Sequence, residues 1–276
     1  MSLEVLDKLW QQYVASNPHV KQIHELFVKK GENPQNDHIA LRTLDDSCID
    51  IYALAKIFTN HGYKICNDYD FEVKKLKAIH LEHHDIDLPK IFISQLLTSN
   101  FSEFLQKTMS ACLEAIPSSL IKNPEELLVS GVPWSNISYK TYQKLLEESE
   151  YAAWFYAFGF RANHFTVFIN DLDNFQEVAE VNDFLKENSF ELNSSSGEIK
   201  GTPEDLLEQS STKSSLTEVR FIEGTKVIPC CYYEFAKRYK GQNGKLYQGF
   251  VAKSADKIFE STNNTGHIKH AIDHIV

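Results

Sequence analysis

The two halves of this chain repeat one another's local plan. Asn36-Asp37-His38 opens one alternating run, and Ala162-Asn163-His164 opens another. Each run leads into a pair of aspartates (Asp45 and Asp46; Asp171 and Asp173) and then into a segment with helical spacing. An aromatic restart of extended structure follows 25 residues after His38, at Tyr63, and 26 residues after His164, at Phe190. An internal βαβββ duplication is the simplest account of this echo, and it would set the two His-bearing strands side by side.

Periodicity fills in the rest. Residues 3–27 carry Leu3, Leu6, Leu9, Trp10, Tyr13 and Val14 at three- and four-residue spacing, which predicts a helix. Residues 37–44 alternate as a strand, 49–60 read as a helix, and 77–81 and 90–96 as strands. Residues 101–150 have a helical texture broken by Pro117, Pro124 and Gly131-Val132-Pro133. Residues 161–170 alternate again. A helix is predicted over 174–188, then a polar Ser-rich stretch, then strands over 217–222 and 227–235. The chain is therefore expected to be α+β. The expected division is a helical segment 1–30, a first module 31–100, a helical insertion 101–150, a second module 151–245, and a C-terminal strand or helix with a tail, 246–276.

Composition narrows the function. Thirty-eight Asp+Glu against 28 Lys+Arg give a net charge of −10, the wrong balance for broad nucleic-acid binding. The longest apolar stretch, 151–160, is about half of a membrane span, and the acidic N-terminus is unlike a secretion signal. Five cysteines (Cys48, Cys66, Cys112, Cys230, Cys231) are odd in number and match no zinc spacing, which suits reduced thiols in the cytoplasm. There is no Walker phosphate loop and no GxSxG elbow.

On a strand, His38, Ala40 and Arg42 share one face, with imidazole and guanidinium about 13 Å apart. A small acid fits between them, and the planar fork of Arg42 matches a carboxylate. His164 recurs at the equivalent place in the second copy, with Thr166 and Phe168 on its face. Two matched histidines point toward a metal, which needs a third ligand. Glu234, inside the apolar run Pro229-Cys230-Cys231-Tyr232-Tyr233-Glu234-Phe235, is the best candidate. A salt bridge from Glu234 to Lys237 or Arg238 is the alternative. Cys230 and Tyr232 share its predicted face. Two His and one carboxylate with open positions is the facial pattern of non-haem Fe(II) sites. His80, Glu82, His83 and His84 form a second cluster, read as mostly surface, with metal binding as the alternative. His267, His270 and His274 lie in a polar tail.

The runs Asp37-His38-Ile39-Ala40-Leu41-Arg42-Thr43, Phe158-Gly159-Phe160-Arg161-Ala162-Asn163-His164-Phe165-Thr166-Val167 and Tyr232-Tyr233-Glu234-Phe235-Ala236 resemble the signatures of the 2-oxoadipate dioxygenase/decarboxylase (hydroxyglutarate synthase) family. The resemblance runs from about Leu3 to Thr262. It implies a β-barrel of the vicinal oxygen chelate type and Fe(2+) bound by His38, His164 and Glu234. It also implies Arg42 as the anchor of the substrate carboxylate, and a further pocket wall around Val251 and Ser254. The implied reaction turns 2-oxoadipate, or a similar 2-oxo dicarboxylic acid, and O2 into 2-hydroxyglutarate and CO2, a step of lysine catabolism. Gln95 stands where relatives often carry Glu, which leaves Glu234 as the sole carboxylate ligand. Two rival readings use the same residues: a non-redox metal enzyme of glyoxalase type (isomerase or hydrolase), and a non-catalytic dicarboxylate-binding module anchored by Arg42 and Arg161.

Overall fold

The structure, a computed structural model, describes residues 4–251. Pro18 splits the N-terminal periodicity, predicted as one helix, into α1 (Glu4–Ser16) and α2 (Pro18–Lys29). A proline pushes the residue before it out of the helical region, and Asn17 accordingly sits at φ −133°, ψ 77°.

The first module follows as β1 (Asn36–Leu44), α3 (Ile51–Thr59), β2 (Lys64–Phe71), β3 (Leu76–Glu82) and β4 (Lys90–Leu96). Asp50 starts α3 by accepting from Ala53 N–H at 2.7 Å. The connecting segment holds α4 (Glu103–Glu114), α5 (Ser118–Ile121), α6 (Pro124–Leu128), α7 (Tyr139–Glu148) and α8 (Glu150–Phe158). Every residue of α8 from Tyr151 to Phe158 is buried, so this strongly apolar run is a core helix. Among the described residues no helix is long and apolar enough to cross a membrane.

The second module repeats the first with one addition. It runs β5 (Ala162–Phe168), α9 (Val178–Glu187), β6 (Lys200–Thr202), β7 (Leu207–Ser211), then a separate hairpin of β8 (Leu216–Phe221) and β9 (Gly224–Pro229), then β10 (Glu234–Arg238). The run predicted as one strand over 227–235 is thus two. β9 pairs with β8, whereas β10 lies between β5 and β7. Residues Cys230 to Tyr233 make the crossing. Its backbone is tied down by Cys230 N to Ser215 O (2.8 Å) and Thr212 N to Tyr233 O (2.9 Å). β6 and β7 went unpredicted because their polar residues read as loop. Gln209 and Ser210 are nevertheless buried, each with a buried polar partner, Glu234 and Asn182.

One eight-stranded sheet results, in the order β2-β3-β4-β1-β5-β10-β7-β6, curled into a half-barrel. Outward from its centre both halves read alike. β1 is parallel to β4, which is antiparallel to β3, and β5 is parallel to β10, which is antiparallel to β7. The two first strands pair antiparallel, Ala40 opposite His164 and His38 opposite Thr166. This central seam carries the site.

Candidate metal centre

His38 and His164 come from the two strands of the seam, and Glu234 is the first residue of β10, opposite Thr166 of β5. Three neighbouring strands therefore deliver three donors to one point. One donor atom from each lies within 4.8 Å of the others. Glu234 Oε1 is 3.4 Å from His38 Nε2, and Oε2 is 3.4 Å from His164 Nε2. All three side chains are buried. Glu234 Oε1 accepts from Gln209, while Oε2 has no hydrogen-bond partner. Burial raises the Glu234 carboxyl to about 8. Burial also drives both imidazoles down, His164 further through the neighbouring His38. Neutral imidazoles beside a buried carboxyl with an unused oxygen suit a divalent cation.

The outer partners orient the imidazoles. Asp37 Oδ1 lies 2.8 Å from His38 Nδ1, and Asn163 Oδ1 lies 3.1 Å from His164 Nδ1. Accepting from Nδ1–H leaves each Nε2 lone pair for a metal. Burial pushes the Asp37 carboxyl up, but the Arg238 guanidinium and the His38 ring hold it well below the usual range. Thr166 Oγ1 also reaches His38 Nε2, at 3.1 Å.

Arg42 is fully enclosed beside the centre. Its guanidinium lies 4.7 Å from the Tyr151 ring and 4.9 Å from the Trp154 ring. Nη1 donates to Glu150 Oε1 at 3.1 Å, while Nε and Nη2 have no partner. Tyr232 stacks on His164 at 4.7 Å, and its hydroxyl is also without a partner. Buried donors left open cost stability unless something fills them. A carboxylate is the group that two adjacent guanidinium N–H bonds fit. A cavity of about 380 Å³ reaches Glu150 and Tyr151 from the surface, with Lys74 and Lys75 in its lining.

Other sequence expectations are placed differently. Lys237 pairs with Glu177, and Arg238 with Asp37, so neither binds Glu234. Arg161 donates to Phe158 O and Ser16 Oγ. Cys230 lies against Cys231, Sγ to Sγ 3.5 Å, so only Tyr232 of the two predicted companions stacks on a member of the triad. Gln95 accepts from Ile51 N at the start of α3. The register makes Phe92 the counterpart of Glu234, since Ala40 faces Phe92 as Thr166 faces Glu234. His80, expected near the surface, is completely buried. Val251 is half-buried, and Ser254 lies outside the described residues, as do His267, His270 and His274. Sequence reasoning missed Phe250, whose ring meets His38 edge-on at 4.8 Å. It also missed Asp37 as the orienting group, although the Asp-His and Asn-His pairs at the head of both repeats carried that signal.

A family model described as 2-oxoadipate dioxygenase/decarboxylase matches residues 4–245. The chain is 32% identical to the chloroplastic 2-oxoadipate dioxygenase/decarboxylase of Arabidopsis thaliana, over 94% of this chain and 76% of that protein. The structure of hydroxyglutarate synthase from Oryza sativa in complex with 2-oxoadipate is similar at 32% identity and a TM-score of 0.88, covering 95% of this chain and 91% of that one. A Shewanella frigidimarina protein for which a hydrolase role was suggested is 47% identical, with a TM-score of 0.86 over 90% of this chain and 97% of that one. A Ralstonia eutropha protein assigned to the glyoxalase superfamily is 17% identical with a TM-score of 0.75, over 88% of this chain and 83% of that one, and shares the fold alone. The α+β, vicinal-oxygen-chelate-like architecture expected from the sequence is the one observed.

Proposed function

The chain belongs to the 2-oxoadipate dioxygenase/decarboxylase family, and from that premise we propose that it converts 2-oxoadipate and O2 to 2-hydroxyglutarate and CO2, with Fe(2+) held by His38, His164 and Glu234. The atoms balance, because one oxygen atom of O2 ends in the new carboxylate and the other in the new hydroxyl. Iron in this site would supply the redox chemistry that lets O2 react with the 2-oxo acid.

The protein's own residues bind and orient. Arg42 takes the carboxylate remote from the 2-oxo group through Nε and Nη2, which selects a dicarboxylic acid. Glu150 and the Tyr151 and Trp154 rings hold that guanidinium in place. Held at both ends, the substrate keeps the carbon to be oxidised at a fixed distance from the metal site. Tyr232 offers its hydroxyl as a further polar contact. The cavity against Glu150 and Tyr151 is lined by Glu147 and Glu148 as well as by Lys74 and Lys75, so the attraction for the substrate rests on Arg42 and not on the charge of that cavity. Phe250 shields the His38 side from water. Five thiols without disulfides fit a reducing compartment.

The observation that carries this reading is the pairing of two features. One is the buried triad of two histidines and one glutamate, with one carboxylate oxygen unused; the other is a buried arginine holding two open donors. The test is anaerobic loading with Fe(2+), then O2 with a panel of 2-oxo acids, recording CO2 and hydroxy acid. Stoichiometric O2 uptake with 2-hydroxyglutarate formation is expected. The Shewanella relative raises a hydrolase as the second reading; turnover that proceeds without O2 would favour it.

A further inference from the structure

The β2–β3 hairpin carries a second group of donors that the reaction does not use. His80 on β3 is fully buried; its Nε2 lies 2.9 Å from Glu82 Oε1 and its Nδ1 2.9 Å from the Tyr69 hydroxyl. Across the hairpin Ile65 pairs with Leu81 and Asn67 with His80, so Cys66 is the extra residue of a β-bulge. Bulges re-aim a side chain, and here one donor atom each from Cys66, His80 and Glu82 lies within 4.8 Å of the other two.

We propose that Cys66, His80 and Glu82 form a second metal site, separate from the His38–His164–Glu234 triad, that takes a thiophilic divalent ion of the Zn2+ type. Sulfur, imidazole and carboxylate are the ordinary donors of zinc, and three of them leave a fourth position for water. The thiolate also sets its preference apart from that of the sulfur-free triad. Burial lowers the His80 imidazole, which leaves it neutral and able to ligate. Burial and the Glu82 carboxylate raise the Cys66 thiol, so the ion displaces its proton on binding.

The site connects to the catalytic side through His80. A metal on Nε2 fixes the proton on Nδ1, which then donates to Tyr69. The Tyr69 hydroxyl accepts from Phe250 N–H at 3.1 Å, and the Phe250 ring lies 5.3 Å from His80 and 4.8 Å from His38. An ion here braces the segment that covers His38.

The test uses Co2+ as the probe on full-length, chelator-stripped protein. The wild type is expected to develop a thiolate-to-cobalt charge-transfer band in the near ultraviolet. Cys66→Ser, an exposed position, should lose the band and keep Co2+ binding at the triad, whereas Glu234→Gln should keep the band. Glu82→Gln should weaken the cobalt affinity read from the band. Tail histidines give no sulfur band. Absence of the band in the wild type, its persistence in Cys66→Ser, or its loss in Glu234→Gln would each overturn the assignment, whatever becomes of the dioxygenase reading.

Discussion

Asp37 and Arg238, 201 residues apart in sequence, are joined by two buried hydrogen bonds, Nε to Oδ2 at 2.6 Å and Nη2 to Oδ1 at 2.8 Å. Arg238 Nη1 also donates to the carbonyls of Tyr247 and Gly249. One ion pair thus ties the residue that orients His38 to the strand that carries Glu234, and to the segment that leads into Phe250.

Asp37→Asn should damage both stability and metal binding. Removing the carboxylate leaves a buried guanidinium without its counter-charge, which costs about 3–5 kcal/mol. Loss of the partner of His38 Nδ1 should weaken metal affinity by roughly 10–100-fold. Denaturant unfolding and Fe(2+) titration read the two effects separately. An unchanged affinity would mean that Asp37 does not orient the ligand.

Arg42→Ala should raise KM for 2-oxoadipate by roughly two orders of magnitude, since truncating one member of a buried charge pair costs about 2–5 kcal/mol. Iron content should stay at the wild-type level. Arg42→Lys should recover little, because a lysine ammonium lacks the planar fork. Steady-state kinetics with 2-oxoadipate and with a 2-oxo monocarboxylic acid of similar length checks this. The preference for the diacid should collapse in both variants.

His164→Ala and Glu234→Gln should each abolish iron retention after desalting and reduce turnover to background. The measurement is metal analysis of protein loaded anaerobically. Either variant holding a full equivalent of iron with normal turnover would remove that residue from the ligand set.

The pH dependence follows from the Glu234 carboxyl, raised by burial from 4.5 to about 8. The folded chain without metal keeps a proton there that the unfolded chain has already lost. This contribution to stability is full below the unfolded value and is lost as the pH rises through about 8. The buried imidazoles act in the opposite sense, and below their ordinary value of 6.5. Between pH 7 and 8 the metal-stripped protein should therefore lose Tm, while the metal-loaded form should not. Over the same interval metal binding should release about one proton and tighten roughly tenfold per unit. Calorimetry in buffers of different ionisation enthalpy counts the proton.

The sequence by itself determined the repeat, the two strand histidines at matched places, most of the helical and extended segments though not β6 and β7, and Glu234 as an acid out of place in an apolar run. These are local signals, because periodicity and a costly buried charge are visible within a few residues. Other features needed the tertiary structure. Only the passage of β10 between β5 and β7 brings Glu234 to the seam. Only the register of β1 on β4 shows that Phe92, rather than Gln95, occupies the counterpart of Glu234 in the first module. Likewise the partners of Arg42, Asp37 and His80 are fixed by burial. A polar group removed from water must be satisfied by whatever the fold brings within reach, and for Asp37 that group lies 201 residues further along the chain.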